Sequence, residues 1–194
     1  MTSKADEDTP AEHGDQLLQK LLETRTVVIC QEINDELTRR VISQLLLLEA
    51  ADAEQPIQVL INSPGGSADS GFAIFDLLRF IKPPVVTVAI GLVASAASII
   101  LLAPKKASRL TLPHARFLLH QPMGGMRGQA ADIAIEAEEI LKMRRRLNEI
   151  FAEQTGQPLE KVEHDTDRNF WMSAKEAVSY GLVGKIIQST EEVE

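Results

Sequence analysis

Two side chains that could act as a nucleophile and its general base lie at the ends of apolar segments. Ser95 lies at the junction between an apolar strand, predicted over residues 85–90, and a helix that starts with small residues. The amino end of such a helix favours developing negative charge, as a serine nucleophile requires. His120 ends the run Phe117-Leu118-Leu119, a position that suits a general base. The alternatives are a helical serine that bonds to a nearby carbonyl and an isolated core histidine.

Two turns rich in glycine or small residues follow apolar strands. The first reads NSPGGS over residues 62–67, and the second reads GLVASA over residues 91–96. Adjacent glycines let backbone N–H groups converge without a side chain between them, which is how an oxyanion or another anion is bound. A plain connection from strand to helix is the alternative for each turn taken by itself.

Other kinds of site lack their sequence signatures. The chain contains neither G-x-x-x-x-G-K-[ST] nor G-x-G-x-x-G, which disfavours nucleotide binding. Its four histidines form no H-E-x-x-H motif, and the single cysteine, Cys30, provides no cysteine pair, so no metal site is predicted.

Composition narrows the function classes further. The chain has 194 residues, 44% of them hydrophobic, which is enough for one domain with its own core. Its 20 Lys and Arg against 28 Asp and Glu give a formal charge of −8, so neither nucleic acid nor a membrane surface is an expected partner. A single cysteine and no secretory leader pattern at the start favour a cytoplasmic protein.

Strand-like and helix-like segments alternate along the chain, which is typical of an α/β fold. Residues 1–15 are polar and are expected to form a flexible N-terminal arm before a single domain over residues 16–194. The predicted elements are strands at residues 26–29, 57–61 and 85–90, and helices at residues 36–50, 69–81 and 129–154.

An uncharged stretch over residues 85–103 is long enough to span a membrane as a helix. Its first part is β-branched, two prolines precede it, and Gly91 is followed by small residues. These features favour a buried strand, a tight turn at Gly91 and a buried helix.

Several motifs together resemble the proteolytic subunit of the ATP-dependent Clp protease, the ClpP family. They are INSPGGS (61–67), GFAIFD (71–76), the serine turn (91–95), LLHQPMGG (118–125), GQAADI (128–133) and DTDR (165–168). The resemblance covers residues 21–188 and implies a crotonase-like fold of repeated ββα units with a protruding handle helix. Residues 129–154 match that handle, whose length also suits a contact between subunits.

The resemblance implies a serine peptidase with Ser95 as nucleophile and His120 as general base. The oxyanion hole is then formed by the backbone N–H groups of Gly66 and Ala96. The third triad position departs from the family, because Asn169 stands where an aspartate is usual. An amide oxygen can orient the imidazole but carries no charge to stabilise the imidazolium, so weak or assembly-dependent activity is expected.

The family assembles as two stacked rings of seven subunits around a chamber. By resemblance, Asp167, Arg168 and Gln129 belong to the contact between rings. No cofactor is expected, since ATP is used by a partner AAA+ unfoldase. Gln58 and Leu60 replace aromatic residues that usually line the docking pocket for that unfoldase, which indicates an altered pocket in a specialised paralogue.

Two alternatives differ in function class. The first is a catalytically inactive structural or regulatory subunit of mixed Clp rings. The second is an acyl-CoA hydratase or isomerase, which shares the fold and the paired backbone donors but requires acid/base carboxylates and a CoA pocket. The sequence carries no specific signal for either of those two features.

Overall fold

The computed structural model describes residues 10–193 except residues 124 and 126, with side chains from residue 17 onward. The helices are α1 (Pro10–Glu23), α2 (Asp35–Ala51), α3 (Ala68–Phe80), α4 (Ala96–Leu101), α5 (Ala130–Thr155), α6 (Leu159–Thr166) and α7 (Ala174–Tyr180). The strands are β1 (Thr26–Ile29), β2 (Ile57–Ser63), β3 (Val85–Ala94), β4 (Arg109–Thr111), β5 (Arg116–Leu119), β6 (Phe170–Ser173) and β7 (Lys185–Ile186). Short 3₁₀ helices cover Lys106–Ser108 and Thr190–Val193.

The strands form one sheet that confirms the predicted α/β class. Strands β1, β2, β3, β4 and β7 lie side by side in that order and run parallel. Strand β5 also pairs with β3 in parallel, and β6 pairs with β5 in the antiparallel direction. Parallel neighbours need crossover connections, and α2 and α3 provide the first two of them.

Strand β3 continues through Gly91, where a turn into a helix was expected. Gly91 has a φ of +85°, and Leu92 N–H beyond it donates to the side-chain oxygen of Asn62 at 2.9 Å. Before this glycine β3 pairs with β4, and after it β3 pairs with β5. The glycine therefore bends the strand from one neighbour to another, and the turn into helix α4 comes at Ser95.

The main core lies on the helix-covered face of the sheet, where Val27, Val59 and Ile74 are inaccessible to solvent. A smaller cluster of Val88, Leu110 and Ile187 packs separately, with Leu60 against it. Gln58 and Leu60 alternate along β2 with the buried core residues, and both are half-buried. The two positions at which the resemblance implies an altered docking pocket therefore lie on the sheet face opposite the main core.

The uncharged stretch over residues 85–103 forms strand β3 and helix α4, as expected. In the part of the chain that the structure describes, no helix is long and apolar enough to cross a membrane. Residues 10–15 of the expected flexible arm form the first turns of α1, and the other residues of that arm lie outside the described part.

Helix α5 confirms the long helix predicted over residues 129–154. Its buried residues, among them Leu147 and Phe151, all lie in its second half, whereas Ile135 and Leu141 in the first half are 59% and 60% exposed. A helix that is buried over only part of its length projects from the domain, and its exposed apolar side chains are then available to another chain.

Candidate active site

The nucleophile turn holds Ser95 in a strained backbone conformation. Ser95 has a φ of 54° and a ψ of −126°, and it is one of two non-glycine residues with positive φ in the described part of the chain. Its N–H donates to Leu118 O at 2.9 Å, and its hydroxyl does not cap helix α4. Strain of this kind is maintained where function requires it, and here the hydroxyl is left available for chemistry.

The first glycine turn packs directly against this serine. Gly65 has a φ of +92°, and a Cβ on it would lie 2.6 Å from Ala94 O and from Ser95 Cβ. Behind it, a Cβ on Gly71 would lie 3.1 Å from Ala96 Cβ. The two turns that are 30 residues apart in sequence are therefore in contact, and glycine is what permits that contact.

Two backbone donors at this contact have no acceptor among the residues that the structure describes. The bonds from Ile33 N–H to Gly65 O and from Ser67 N–H to Ile33 O, both 2.8 Å, hold the glycine turn on either side of Gly66. Among the described residues, neither the Gly66 N–H nor the Ala96 N–H donates to another group. Both residues line the same cleft as Ser95, so the cleft offers two unpaired N–H donors beside the serine.

His120 follows strand β5 and lines the same cleft, which has a volume of about 510 Å³. The side chain is half-buried, and burial lowers the pKa of His120 below its ordinary value. The imidazole is therefore neutral at pH 7, the form that a general base needs. No hydrogen bond joins it to the Ser95 hydroxyl among the residues that the structure describes, and such bonds often form only with substrate bound.

Asn169 lies outside the cleft lining, and its side chain is exposed. The antiparallel pairing of β5 and β6 ends at Leu119 and Phe170, so His120 and Asn169 are the two residues next to this last pair. Directly opposed residues have Cβ atoms about 5 Å apart. The backbone thus brings Asn169 beside the histidine, although no side-chain hydrogen bond joins the two in the described part of the structure.

The segment that carries Asn169 is tied to the residue after the histidine. Gln121 donates from its backbone N–H to Thr166 O and from its side-chain amide to Asp167 O, both at 2.7 Å. Sequence analysis assigned no role to Gln121, whose only signal was its place beside His120. Its two hydrogen bonds connect the segment that carries His120 to the segment that carries Asn169.

Of the three residues expected at the contact between rings, Asp167 and Arg168 lie together, and Gln129 lies apart from them in one chain. Asp167 pairs with Arg144 of helix α5 at 3.1 Å, and Arg168 is 3.9 Å from the other Asp167 oxygen. Gln129 precedes α5, about 22 Å along the helix axis from Arg144. Gln129 and Asp167 therefore reach a common contact only if two copies of the chain supply them.

An apolar surface adjoins the serine inside the cleft. Ile99 of α4 and Met143, Leu147 and Phe151 of α5 line it. Leu147 and Phe151 are one helical turn apart in sequence, but their place beside Ser95 depends on how α5 crosses α4. The charged residues that line the cleft are Glu32 and Asp69, so its rim is acidic.

Three comparisons with known proteins agree with one another. The family model described as Clp protease matches residues 9–190. The ATP-dependent Clp protease proteolytic subunit 2 of Treponema denticola is 51% identical over 179 residues, covering 92% of this chain and 90% of that protein. The protein of that name from Borreliella burgdorferi is 46% identical over 194 residues, covering 100% and 98%. A solved structure of an Asn-to-Asp mutant of ClpP1 from Listeria monocytogenes superposes with a TM-score of 0.85 at 47% identity, covering 92% of this chain and 99% of that one.

Proposed function

Because this chain belongs to the Clp protease family, we propose that it is a serine endopeptidase subunit with Ser95 as nucleophile and His120 as general base. The observation that carries the proposal is the contact between the strained Ser95 turn and the glycine turn, which leaves two N–H donors unpaired beside the hydroxyl. The substrates are unfolded proteins and peptides.

The chemistry follows from these positions. The Ser95 hydroxyl attacks the peptide carbonyl while His120 accepts its proton, and the Gly66 and Ala96 N–H groups bind the oxyanion that forms. His120 then returns the proton to the leaving amine, and water releases the acyl group by the same steps. Each step uses protein groups alone, so this chain needs no cofactor.

The apolar lining of the cleft selects the side chain on the acyl side of the cleaved bond. Leu147 and Phe151 are 7% and 3% exposed and present a shaped apolar surface close to Ser95. Burying a leucine-sized side chain in place of alanine contributes about 1–2 kcal/mol, or about 5–30-fold in kcat/KM. Peptides with Leu, Met or Phe at this position are the expected substrates.

Asn169 makes the activity weak or dependent on assembly. An uncharged amide beside His120 gives less stabilisation to the imidazolium than a carboxylate does. The side chain is exposed in the single chain, so whatever surrounds it in an assembly changes its effect on the histidine. The proposed assembly is two stacked rings of seven, homomeric or mixed, which receive substrate from an AAA+ unfoldase that hydrolyses the ATP.

The second candidate function is a catalytically inactive subunit of mixed rings. It is favoured by the missing hydrogen bonds, among the described residues, from His120 to Ser95 and to Asn169. A catalytic subunit closes these bonds when substrate binds, whereas an inactive one never does.

A fluorophosphonate probe distinguishes the two candidates, because it reacts only with an activated serine. We expect labelling of the assembled protein at Ser95, lost in Ser95→Ala and in His120→Ala. The matched control is His114→Ala, which removes an exposed histidine that does not line the cleft and leaves labelling unchanged. If the chain is labelled neither in rings of its own nor in mixed rings with a paralogue, that result contradicts the proposed activity and supports the inactive subunit.

A further inference from the structure

The buried hydroxyl of Ser63 has no part in the chemistry above, yet it forms hydrogen bonds both to Gln31 and to the glycine turn at Gly65. Ser63 ends strand β2 and is 0% exposed. Its Oγ donates to Gln31 O at 2.6 Å and accepts from Gly65 N–H at 3.1 Å. The hydroxyl thus links the segment before Ile33 to the first glycine of the turn.

Both partners of this hydroxyl depend on it. In the described part of the chain, Gln31 O and Gly65 N–H have no other hydrogen-bond partner. Pro64 has no N–H, so Gly65 supplies the first backbone donor after the strand ends. Without the Ser63 hydroxyl, the buried Gly65 N–H donor and the partly buried Gln31 O acceptor would both lose their hydrogen bond.

The turn needs such a restraint because it consists of two glycines. Gly65 and Gly66 have φ values of +92° and +148°, and glycine moves between backbone conformations more freely than any other residue. An oxyanion hole works only when its donors already point at the developing charge. The direction of the Gly66 N–H therefore depends on what holds Gly65 in place.

The position of Ser63 along the sheet also connects it to the nucleophile. Strand β2 shifts register between Ile61 and Ser63, which brings Ser63 opposite Val93, two residues before Ser95. The hydroxyl thus holds the glycine turn relative to the same part of β3 that carries the serine.

We propose that Ser63 is a positioning residue for the oxyanion hole, whose hydroxyl fixes the Gly65–Gly66 turn so that the Gly66 N–H meets the tetrahedral intermediate. This inference rests on the proposed peptidase activity. Ser63 touches neither substrate nor the reacting atoms. Its effect falls on the transition state, since the apolar surface that binds substrate in the ground state belongs to α4 and α5.

The test compares Ser63→Ala with wild type and with Thr87→Val in the assembled protein. Thr87 is likewise 0% exposed, its hydroxyl donates to Leu101 O at 2.9 Å, and it does not line the cleft. Complete loss of one oxyanion donor lowers kcat by about 10²–10³-fold, so a displaced donor should lower it by about 10–100-fold. We expect this loss in Ser63→Ala with KM unchanged within about twofold. Thr87→Val should keep the wild-type kcat.

A peptide aldehyde supplies the readout that a merely structural role would not change. Its hemiacetal places an oxygen in the oxyanion hole, so its Ki should weaken in Ser63→Ala by the same factor as kcat/KM. Ser63→Thr, which keeps the hydroxyl, should recover most of the loss. Equal losses in Ser63→Ala and Thr87→Val, or an unchanged aldehyde Ki, would overturn the inference.

Crystal structures of wild type and Ser63→Ala separate this inference from the proposed function. A Gly65–Gly66 turn that rotates or shifts in the variant supports the positioning role. An unmoved turn overturns it whatever the turnover. If wild type neither turns over peptides nor reacts with the fluorophosphonate, the peptidase proposal fails, while the two crystal structures still decide whether Ser63 holds the turn.

Discussion

Replacing Asn169 by aspartate is the substitution with the most informative outcome, because it changes one group beside the proposed general base. The last pair of β5 and β6, Leu119 and Phe170, brings this residue close to His120, and its side chain is exposed. The substitution keeps the size of the side chain and adds one negative charge. In the assembled protein we expect kcat/KM for a peptide with an apolar acyl-side residue to rise.

The size of the increase follows from distance and exposure. Two unit charges about 5 Å apart attract by about 0.8 kcal/mol in bulk water and by about 3 kcal/mol at an effective dielectric constant of about 20. An exposed carboxylate at position 169 belongs near the lower value, which gives a gain of about fourfold. Burial of the position by a neighbouring subunit would raise the gain toward about 10²-fold, still below the roughly 10⁴-fold effect in a fully buried triad.

The pH profile should change in a defined direction. Burial lowers the pKa of His120, so the neutral imidazole persists in the free enzyme to pH values below the ordinary range of histidine. A carboxylate at position 169 stabilises the imidazolium and raises that pKa. Activity needs the neutral base, so the acid limb of kcat/KM against pH should lie at higher pH in Asn169→Asp than in wild type.

The assay is peptide hydrolysis across pH with particle size checked by analytical ultracentrifugation. Gln55→Glu is the matched control, because it adds the same charge on an exposed residue before β2, at the end of the parallel strands opposite the cleft. Its rate and acid limb should equal those of wild type. If Asn169→Asp forms intact particles with wild-type turnover and an unmoved acid limb, the placement of Asn169 as the partner of His120 is refuted.

Three further substitutions test separate parts of the structure. Gly65→Ala should lower kcat by at least about 10²-fold, because the new Cβ would lie 2.6 Å from Ser95 Cβ and displace the glycine turn that carries the Gly66 N–H. Wild-type turnover in this variant would show that the glycine turn and the Ser95 turn do not touch in the active particle. Asp167→Asn should separate the two proposed rings in ultracentrifugation, and it should change subunit stability by less than about 1 kcal/mol because its pair with Arg144 is partly exposed. Arg144→Gln is the comparison and should keep the rings stacked. Equal separation by both variants would place the essential contact within one chain. Arg109→Met should destabilise the fold by about 3 kcal/mol and lower Tm by about 6–12 °C, because Arg109 is 1% exposed and its guanidinium donates to Pro104 O and to the backbone and side-chain oxygens of Gln154. Lys105→Met should change Tm little. A similarly small change in Arg109→Met would show that these hydrogen bonds do not stabilise the fold.

Local patterns predicted the elements of this fold well. Helix α2 begins after Asn34, whose side chain accepts the Leu37 N–H at 2.9 Å, and a capping box of Ser173 and Glu176 begins α7. Such caps depend on residues three apart, so sequence alone specifies them. The predicted end of β3 at residue 90 was wrong. Gly91 by itself is a turn signal, but the hydrogen bond from Leu92 to Asn62 and the pairing with β5 keep the chain beyond Gly91 in the sheet.

The candidate site was predicted in part. Motifs indicated Ser95, His120 and the glycine turn, and the structure brings all three to one cleft. The residues of α5 that form the apolar surface of the cleft had no comparable signal. Apolar residues such as Leu147 and Phe151 have the same helical spacing whether they face a core or a substrate.

The sequence by itself determined which chemical groups this protein has and where its helices and strands begin, because those properties depend on residue type and on neighbours within a few positions. Only the tertiary structure decided that Ser95 adopts a φ of 54°, that Gly65 lies against it and that Asn169 comes close to His120. These relations join residues from 30 to about 50 positions apart. They are set by strand register and by close packing of backbone on backbone, which no local pattern encodes.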